Sequence, residues 1–354
     1  MVGQSRPGRA TQELASQTLM RILGIETSCD ETAAAVVEDG LRVRSSVIST
    51  QHELHRRFGG VVPEIACRAH IEHVLPAVAT ALEQAGVERA DLDAIAVTTT
   101  PGLIGALLIG VTAAKALSWA LDVPLLAANH LHEHIYAAWL AGRAPSLPAV
   151  SLVVSGGHTS LFLTEGPLDH RLLGGTVDDA AGEAFDKIAR FIGLGFPGGP
   201  ALDRLARDGD PTAIRFPRAM LDSGDYDFSL SGLKTSVLRF VRTEQGAGRT
   251  VDPADLAASF QEAIVDVQVT KTIQAAKEKG VGTVLLGGGV VANTRLRERM
   301  ARAGAEAGIS VSFPSLPLCT DNAAMIACAG EARLLRGERT SFEVGADPGL
   351  ELAS

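Results

Sequence analysis

Apolar and polar positions alternate in blocks along this chain. Arg21–Val37 reads RILGIETSCDETAAAVV, an apolar run, a polar turn over Glu26–Glu31, and a second apolar run. That pattern predicts a strand, a tight turn and a strand, and Leu41–Thr50 supplies a third strand. Pro63–Gly86 has helical periodicity with proline at its start and glycine at its end. Asp93–Thr98 reads as a short buried strand, punctuated by Pro101-Gly102, and the apolar segment after it as a helix to Trp119. Val123–Ala128 is another buried strand, followed by a helix over His130–Ala141. The second half repeats this grammar. Ala149–Leu163 (AVSLVVSGGHTSLFL) is again apolar, polar turn, apolar, with Leu172–Val177 as third strand and Asp178–Ile192 as helix. A Gly- and Pro-rich insertion spans Gly193–Gly232. Pro253–Lys279 is a long helix, Gly282–Leu286 a strand, Asn293–Gly308 a helix, Ser310–Phe313 a strand and Thr320–Leu335 the closing helix.

Both halves thus run three strands, helix, strand, helix, strand, helix. The repeat is one of structure, not of letters. It predicts two α/β domains of like topology facing one another across a cleft, joined near Gly142–Pro148 (GRAPSLP). In such folds ligand-binding loops follow strand ends, so function belongs in the cleft. With 354 residues, 46% hydrophobic, there is ample material for two cores; at 4% aromatic they must be built from Ala, Leu, Val and Ile. A formal charge of −9 argues against coating nucleic acid by bulk charge, without excluding a local basic patch. Local arginine clusters occur at Arg42, Arg44, Arg56, Arg57 and Arg68 and at Arg295, Arg297 and Arg299. The four cysteines, Cys29, Cys67, Cys319 and Cys328, form no C-x-x-C pair and suit a reduced, cytoplasmic protein. Residues 1–20 lack the apolar core of a secretory signal and read as a flexible extension. The most apolar stretch, Leu103–Val111, meets Lys115 and is too short to span a bilayer.

Three turns stand at corresponding strand ends: Glu26–Glu31, Ser155–Thr159 (SGGHT) and Gly287–Gly289. Glycine lets backbone N–H groups approach an anion without a Cβ in the way, so a nucleotide or phosphate is the expected ligand. Neither G-x-x-x-x-G-K-[ST] nor G-x-G-x-x-G after the first strand occurs, which excludes a P-loop and disfavours a simple dinucleotide fold. In Asn129-His130-Leu131-His132-Glu133-His134, His130 and His134 share one face of a helix and suit one metal ion. Leu131 stands where a zincin metalloprotease needs glutamate, so that chemistry is disfavoured. His52/His55 and His70/His73 are read as surface or packing residues. Asp178, Asp179, Glu183, Asp186 and Asp203 cluster around the insertion. The first two suit a helix N-terminus, and the cluster could also grip sugar hydroxyls. Asp321 and Asn322 open the last helix, one of them as its cap, and Asp321 is a candidate third metal ligand.

In order along the chain, GIETSCDETAAAVV, NHLHEHIYA, VVSGGHTSLFL, DDAAGEAFDKIARFIGLGFPGGPALDRLA, FSLSGLKTS, GGGVVANTRLR and CTDNAAMIA closely resemble the TsaD family, over Arg21 to Arg336. The resemblance implies an α/β fold of the ASKHA (actin-like, sugar-kinase and Hsp70-like) type. Its first domain, 21–145, would be completed by a C-terminal helix at 320–340, and its second, 146–319, would carry the insertion 193–232. It implies transfer of a threonylcarbamoyl group from threonylcarbamoyl-AMP to N6 of the adenosine beside the anticodon, in tRNAs reading codons that begin with A. It implies one divalent metal on His130, His134 and Asp321, iron as Fe(2+) with zinc as the other option. Donor contacts fall on Val153, Val154, Ser155, Gly156, Gly157, Asp186, Gly199, Asp203 and Asn293, with Gly287–Gly289 beside the adenine. His158 is a candidate acid or base, or a holder of its loop. The implied partners are tRNA, a TsaB-like paralogue and a TsaE-like ATPase, with no membrane. A sugar kinase or Hsp70-like ATPase would share the fold and the turns but would not need His130 and His134. A non-catalytic TsaB-type subunit should lack the intact His, His, Asp set.

Overall fold

The computed structural model describes residues 19–142 and 144–349. The extension expected over 1–20 therefore falls outside the described residues, except for Leu19 and Met20. The first sheet consists of β1 (Arg21–Glu26), β2 (Glu31–Glu38), β3 (Arg42–Thr50), β4 (Ala94–Thr100) and β5 (Leu125–Asn129), in the order β3-β2-β1-β4-β5. The first three strands are antiparallel; β4 and β5 join in parallel. The second sheet, from β6 (Ala149–Val154), β7 (Thr159–Gly166), β8 (Asp169–Gly175), β9 (Thr283–Gly287) and β10 (Ser310–Ser312), follows the same path, β8-β7-β6-β9-β10. The duplicated grammar of the sequence is thus a duplicated sheet.

The helices are α1 (His52–Arg56), α2 (Pro63–Ala85), α3 (Ile104–Leu121), α4 (His130–Ala137), α5 (Ala181–Phe191), α6 (Gly198–Ala206), α7 (Ser231–Gly246), α8 (Pro253–Glu278), α9 (Thr294–Ala307) and α10 (Ala323–Leu335). Every residue of β2 is buried, which is why it reads as a continuous apolar run. Its period of two sorts the faces: Ala34 and Val36 pack with Val74 and Val78 of α2 and Val111 of α3, while Ala33, Ala35 and Val37 pack with Ala323–Ala329 of α10. On the second sheet, Leu152, Val154 and Leu161 face Phe185, Phe260 and Ile264. Val153, Phe162 and Leu285 face Leu131 and Ile135 of α4. So α4, which leaves the first sheet, covers the second, and α10, which follows the second, covers the first. These two inner helices pack against one another between the sheets.

Several boundaries differ from expectation. The helix at His130 ends at Ala137, and Trp139–Ala141 is a 3-10 turn. The helix after β8 starts at Ala181, so Asp178 and Asp179 lie before it. Asp178 instead accepts hydrogen bonds from Ser229, Leu230 and Ser231, and Asp179 pairs with Lys187 and Lys234. They hold the insertion down. The insertion itself carries α6, and α7 begins at its end, where Leu233, Val237 and Val241 are buried at a four-residue spacing. By length and composition α3 could cross a membrane, beyond the short stretch the sequence singled out. One face of it, including Ala106, Leu107, Val111 and Ala114, is buried.

Candidate metal and nucleotide site

Asn129 ends β5 and caps α4: its Oδ1 accepts from Leu131 N at 3.0 Å and His132 N at 3.2 Å. This cap starts the helix at His130, so His130 and His134 project one turn apart toward the end of the second inner helix. There Asn322 Oδ1 caps α10 by accepting from Met325 N at 3.0 Å, which leaves the Asp321 carboxylate free to turn inward. Asp321 Oδ1 lies 3.5 Å from His130 Nε2 and 3.3 Å from His134 Nε2. One ligand atom from each of the three residues lies within 4.8 Å of the others. His134 is fully buried, and among the described residues neither of its ring nitrogens makes a well-directed hydrogen bond. Burying such a group unpaired costs free energy unless something fills the gap. Two imidazoles and a carboxylate are a donor set for a divalent transition metal, so these residues fit one.

A second layer orients the first. His130 Nδ1 lies 3.1 Å from Glu26 Oε2, which also accepts from Thr98 Oγ1 at 2.5 Å. That carboxylate–imidazole contact points Nε2 at Asp321, the arrangement by which metal-binding histidines are oriented. Burial opposes charge on His130, but Asp321 and Glu26 outweigh it and raise the imidazole to about 9. Burial likewise opposes charge on Asp321, and the two histidines outweigh it, holding the carboxyl below its ordinary range. On His134 burial prevails and favours the neutral ring, the form that binds metal. The three groups are tuned as one unit.

A cavity of about 290 Å³ opens beside them, lined by the turn Ser28–Glu31, by Pro101–Leu103, by Ser155–His158, by Gly289 and by His130, Thr320 and Asp321. The Ser155–His158 turn is closed by Ser155 N donating to His158 O at 2.8 Å, and it rests on the start of α5, where Gly182 N donates to Ser155 O. A Cβ on Gly182 would lie 2.7 Å from Gly156 Cα, so glycine is required there for the close approach. Gly156 and Gly157 are exposed. Burial pushes His158 down to about 4, so its ring is neutral.

The TsaD family profile, described as tRNA N6-adenosine threonylcarbamoyltransferase, matches residues 42–328. Relatives of that name are 54% identical in Moorella thermoacetica, over 96% of this chain and 99% of theirs, and 56% identical in Anaeromyxobacter dehalogenans, over 94% and 100%. The chain belongs to the TsaD family. Among solved structures, HypF of T. kodakarensis superposes with a TM-score of 0.59 at 16% identity, over 90% of this chain and 48% of that one. The Acidaminococcus fermentans (R)-2-hydroxyglutaryl-CoA dehydratase component A does so at 0.54 and 14%, over 89% and 99%. At such identities the likeness concerns the fold alone, which is the ASKHA architecture the resemblance implied.

The residues that the resemblance implied for the donor lie in several places. Ser155, Gly156 and Gly157 share the 290 Å³ cavity with His130, His158 and Asp321. The Val153 and Val154 side chains are in the cores on either face of the second sheet. Asp203 lines a separate cavity of about 310 Å³ with Arg207, Gln261 and Thr294. It accepts from Thr294 N and Oγ1 and pairs with Arg207. Asp186 Oδ1 accepts from Gly198 N at 2.8 Å and Gly199 N at 3.1 Å, which holds the start of α6. Asn293 caps α9 and donates to Gln261 Oε1. Gly287 is needed for packing, since its Cβ would lie 2.2 Å from His134 O. Three features escaped the sequence reading: the orienting role of Glu26, the approach of His52 to Asp30 and Glu31, and the buried Glu133–Arg333 pair. Each joins segments far apart in the chain, and the sequence carries no local signal for it.

Proposed function

We propose that this chain transfers a threonylcarbamoyl group from threonylcarbamoyl-AMP to N6 of an adenosine beside the anticodon of tRNA, releasing AMP. One observation carries the reading: His130, His134 and Asp321 converge on one point beside a cavity that also contains the Gly156-Gly157 turn. An exocyclic adenine amine is a poor nucleophile, because its lone pair is delocalised into the ring. It needs an activated acyl donor, held in place, with charge on the reacting carbonyl stabilised. In this reading His130, His134 and Asp321 hold a divalent metal, Fe(2+) or zinc, which supplies Lewis acidity and a template for the donor's oxygens. The Gly156-Gly157 turn presents backbone N–H groups to the phosphate. Asp186 and Asp203 face the ribose hydroxyls, with Gly199 beside them and Asn293 near the adenine. Glu26 keeps His130 oriented.

The arginines are mostly committed elsewhere. Arg42 and Arg44 pair with Glu38, Arg56 with Glu53, and Arg295 and Arg299 with Glu262. A protein that carries −9 overall and neutralises its own clusters needs help to hold tRNA. A TsaB-like paralogue and a TsaE-like ATPase are the proposed partners, and the cytoplasm the proposed place. The test is an assay with threonylcarbamoyl-AMP and unmodified tRNA, with and without those partners, reading the modified nucleoside by mass spectrometry. H130A/H134A should abolish transfer and bound metal while the thermal melt stays cooperative. Wild-type turnover in that variant, or fast ATP hydrolysis indifferent to it, would overturn the reading in favour of an ASKHA-type ATPase or kinase.

A further inference from the structure

The attacking amine must lose a proton as its bond to carbon forms, and none of the groups given a role in the proposed reaction receives it. His158, the candidate acid or base, lines the same cavity but is held down to about 4 by burial, which makes it a weak acceptor. Glu31 lines the same cavity as Asp321 and the Gly156-Gly157 turn, at the end of the polar turn between β1 and β2. It is 7% exposed. His52, on α1, places Nε2 3.2 Å from Glu31 Oε1 and 3.9 Å from Asp30 Oδ2. The His52 side chain is 37% exposed, so its ring reaches from the buried carboxylate to solvent. A carboxylate in the cavity, in contact with an imidazole that opens outward, is a proton acceptor with an outlet.

We propose that Glu31 is the catalytic proton acceptor for the adenosine amine, and that His52 is the positioning and relay residue that passes the proton to water. This rests on the transferase reading. In the step, the N6–carbon bond forms and the carbon–oxygen bond of the carbamoyl–phosphate anhydride breaks. AMP leaves with the electron pair, the N6 proton goes to Glu31, and a proton leaves through His52 to solvent. The titratable groups facing the pair are Asp30 and Cys29 on the same turn, Asp321 and His130 at the starts of the inner helices, and Asp186 and His55 on the His52 side. Burial next to acidic neighbours raises Glu31 to about 8, with His52 pulling it down. That places the acceptor near neutral pH, where a general base with such a value acts well.

The experiment uses the full chain with its partner subunits, threonylcarbamoyl-AMP and unmodified tRNA, under single-turnover conditions across pH. E31Q should lower the transfer rate about 100-fold or more, leaving donor affinity, bound metal and the melting curve near wild type. E31D should restore part of the rate. In H52Q the acidic limb of the rate profile should move to higher pH, because the carboxylate loses the partner that favours its charged form. E31Q at the wild-type rate, or an E31Q defect confined to donor affinity or metal content, would overturn the assignment of the acceptor. An unmoved pH profile in H52Q would overturn the relay. Wild type that forms no modified nucleoside under any condition would instead sink the transferase reading beneath it.

Discussion

At Gly287 one missing Cβ sets the position of a metal ligand. The residue ends β9 directly beneath the backbone of His134, and an added methyl would lie 2.2 Å from His134 O and 2.7 Å from its carbonyl carbon. Backbone cannot swing aside as a side-chain tip can, so α4 would have to move. G287A should therefore cost about 1–3 kcal/mol, the usual range for overpacking, and weaken metal binding along with stability. Denaturant melts and a metal titration read the two effects. An unchanged metal affinity in a destabilised protein would separate Gly287 from the site. The sequence marked this glycine for a nucleotide or phosphate because a glycine turn after a strand suits an anion, and the resemblance put it beside the adenine. Its true neighbour comes from 153 positions upstream and belongs to the other half of the chain.

At the scale of elements, the two inner helices are joined behind the site by an ion pair. Glu133, fully buried, lies 3.1 Å from an Arg333 terminal nitrogen and also accepts from Asn129 N. Among the described residues, Glu133 Oε2 and Arg333 Nε have no hydrogen-bond partner. Burial raises Glu133, and Arg333 opposes that rise. Removing one partner leaves the other buried and uncompensated, so R333M should destabilise by about 3 kcal/mol. E133Q/R333M should lose less than R333M alone, because the buried charge is then gone. Chemical denaturation of the two variants and wild type measures this. Equal losses would mean that packing of the arginine stem, not charge, holds the helices together. Glu133 was visible in the sequence only as the wrong residue for a zincin, because nothing local names a partner 200 residues away.

For the whole molecule, the exchange of inner helices matters more than the duplication. Ile22, Ala33, Ala35, Val37, Ala96 and Leu126 form one face of the first sheet, and the segment that covers them is α10, from the far end of the chain. A chain truncated after Pro314 should expose that apolar face. Its first half should become the readily digested part, and its melt should lose cooperativity. Limited proteolysis and calorimetry check this. A truncated chain with a protected, cooperatively folded first half would show that α10 serves only to deliver Asp321. The same exchange explains the site: α4 and α10 begin side by side because each crosses to the other sheet, and their first residues meet in the cleft.

The pattern of apolar runs and polar turns determined most of the elements and the duplicated order, since strand and helix periodicity and end signals are local properties. The i, i+4 histidines and the SGGHT turn were legible for the same reason, and Asp321 was already a candidate third ligand before the family motifs implied it. The helices missed were the short α1, α6 in the insertion and α7 beginning at its end. The spacing of Leu233, Val237 and Val241 held the signal for α7, but glycine and proline upstream masked it. Which of Asp321 and Asn322 caps the helix, what each glycine must clear, which arginines are already neutralised and where His52 points were decided by tertiary structure alone. These depend on distances between segments tens to hundreds of residues apart, and only closing the two sheets around the inner helices sets them.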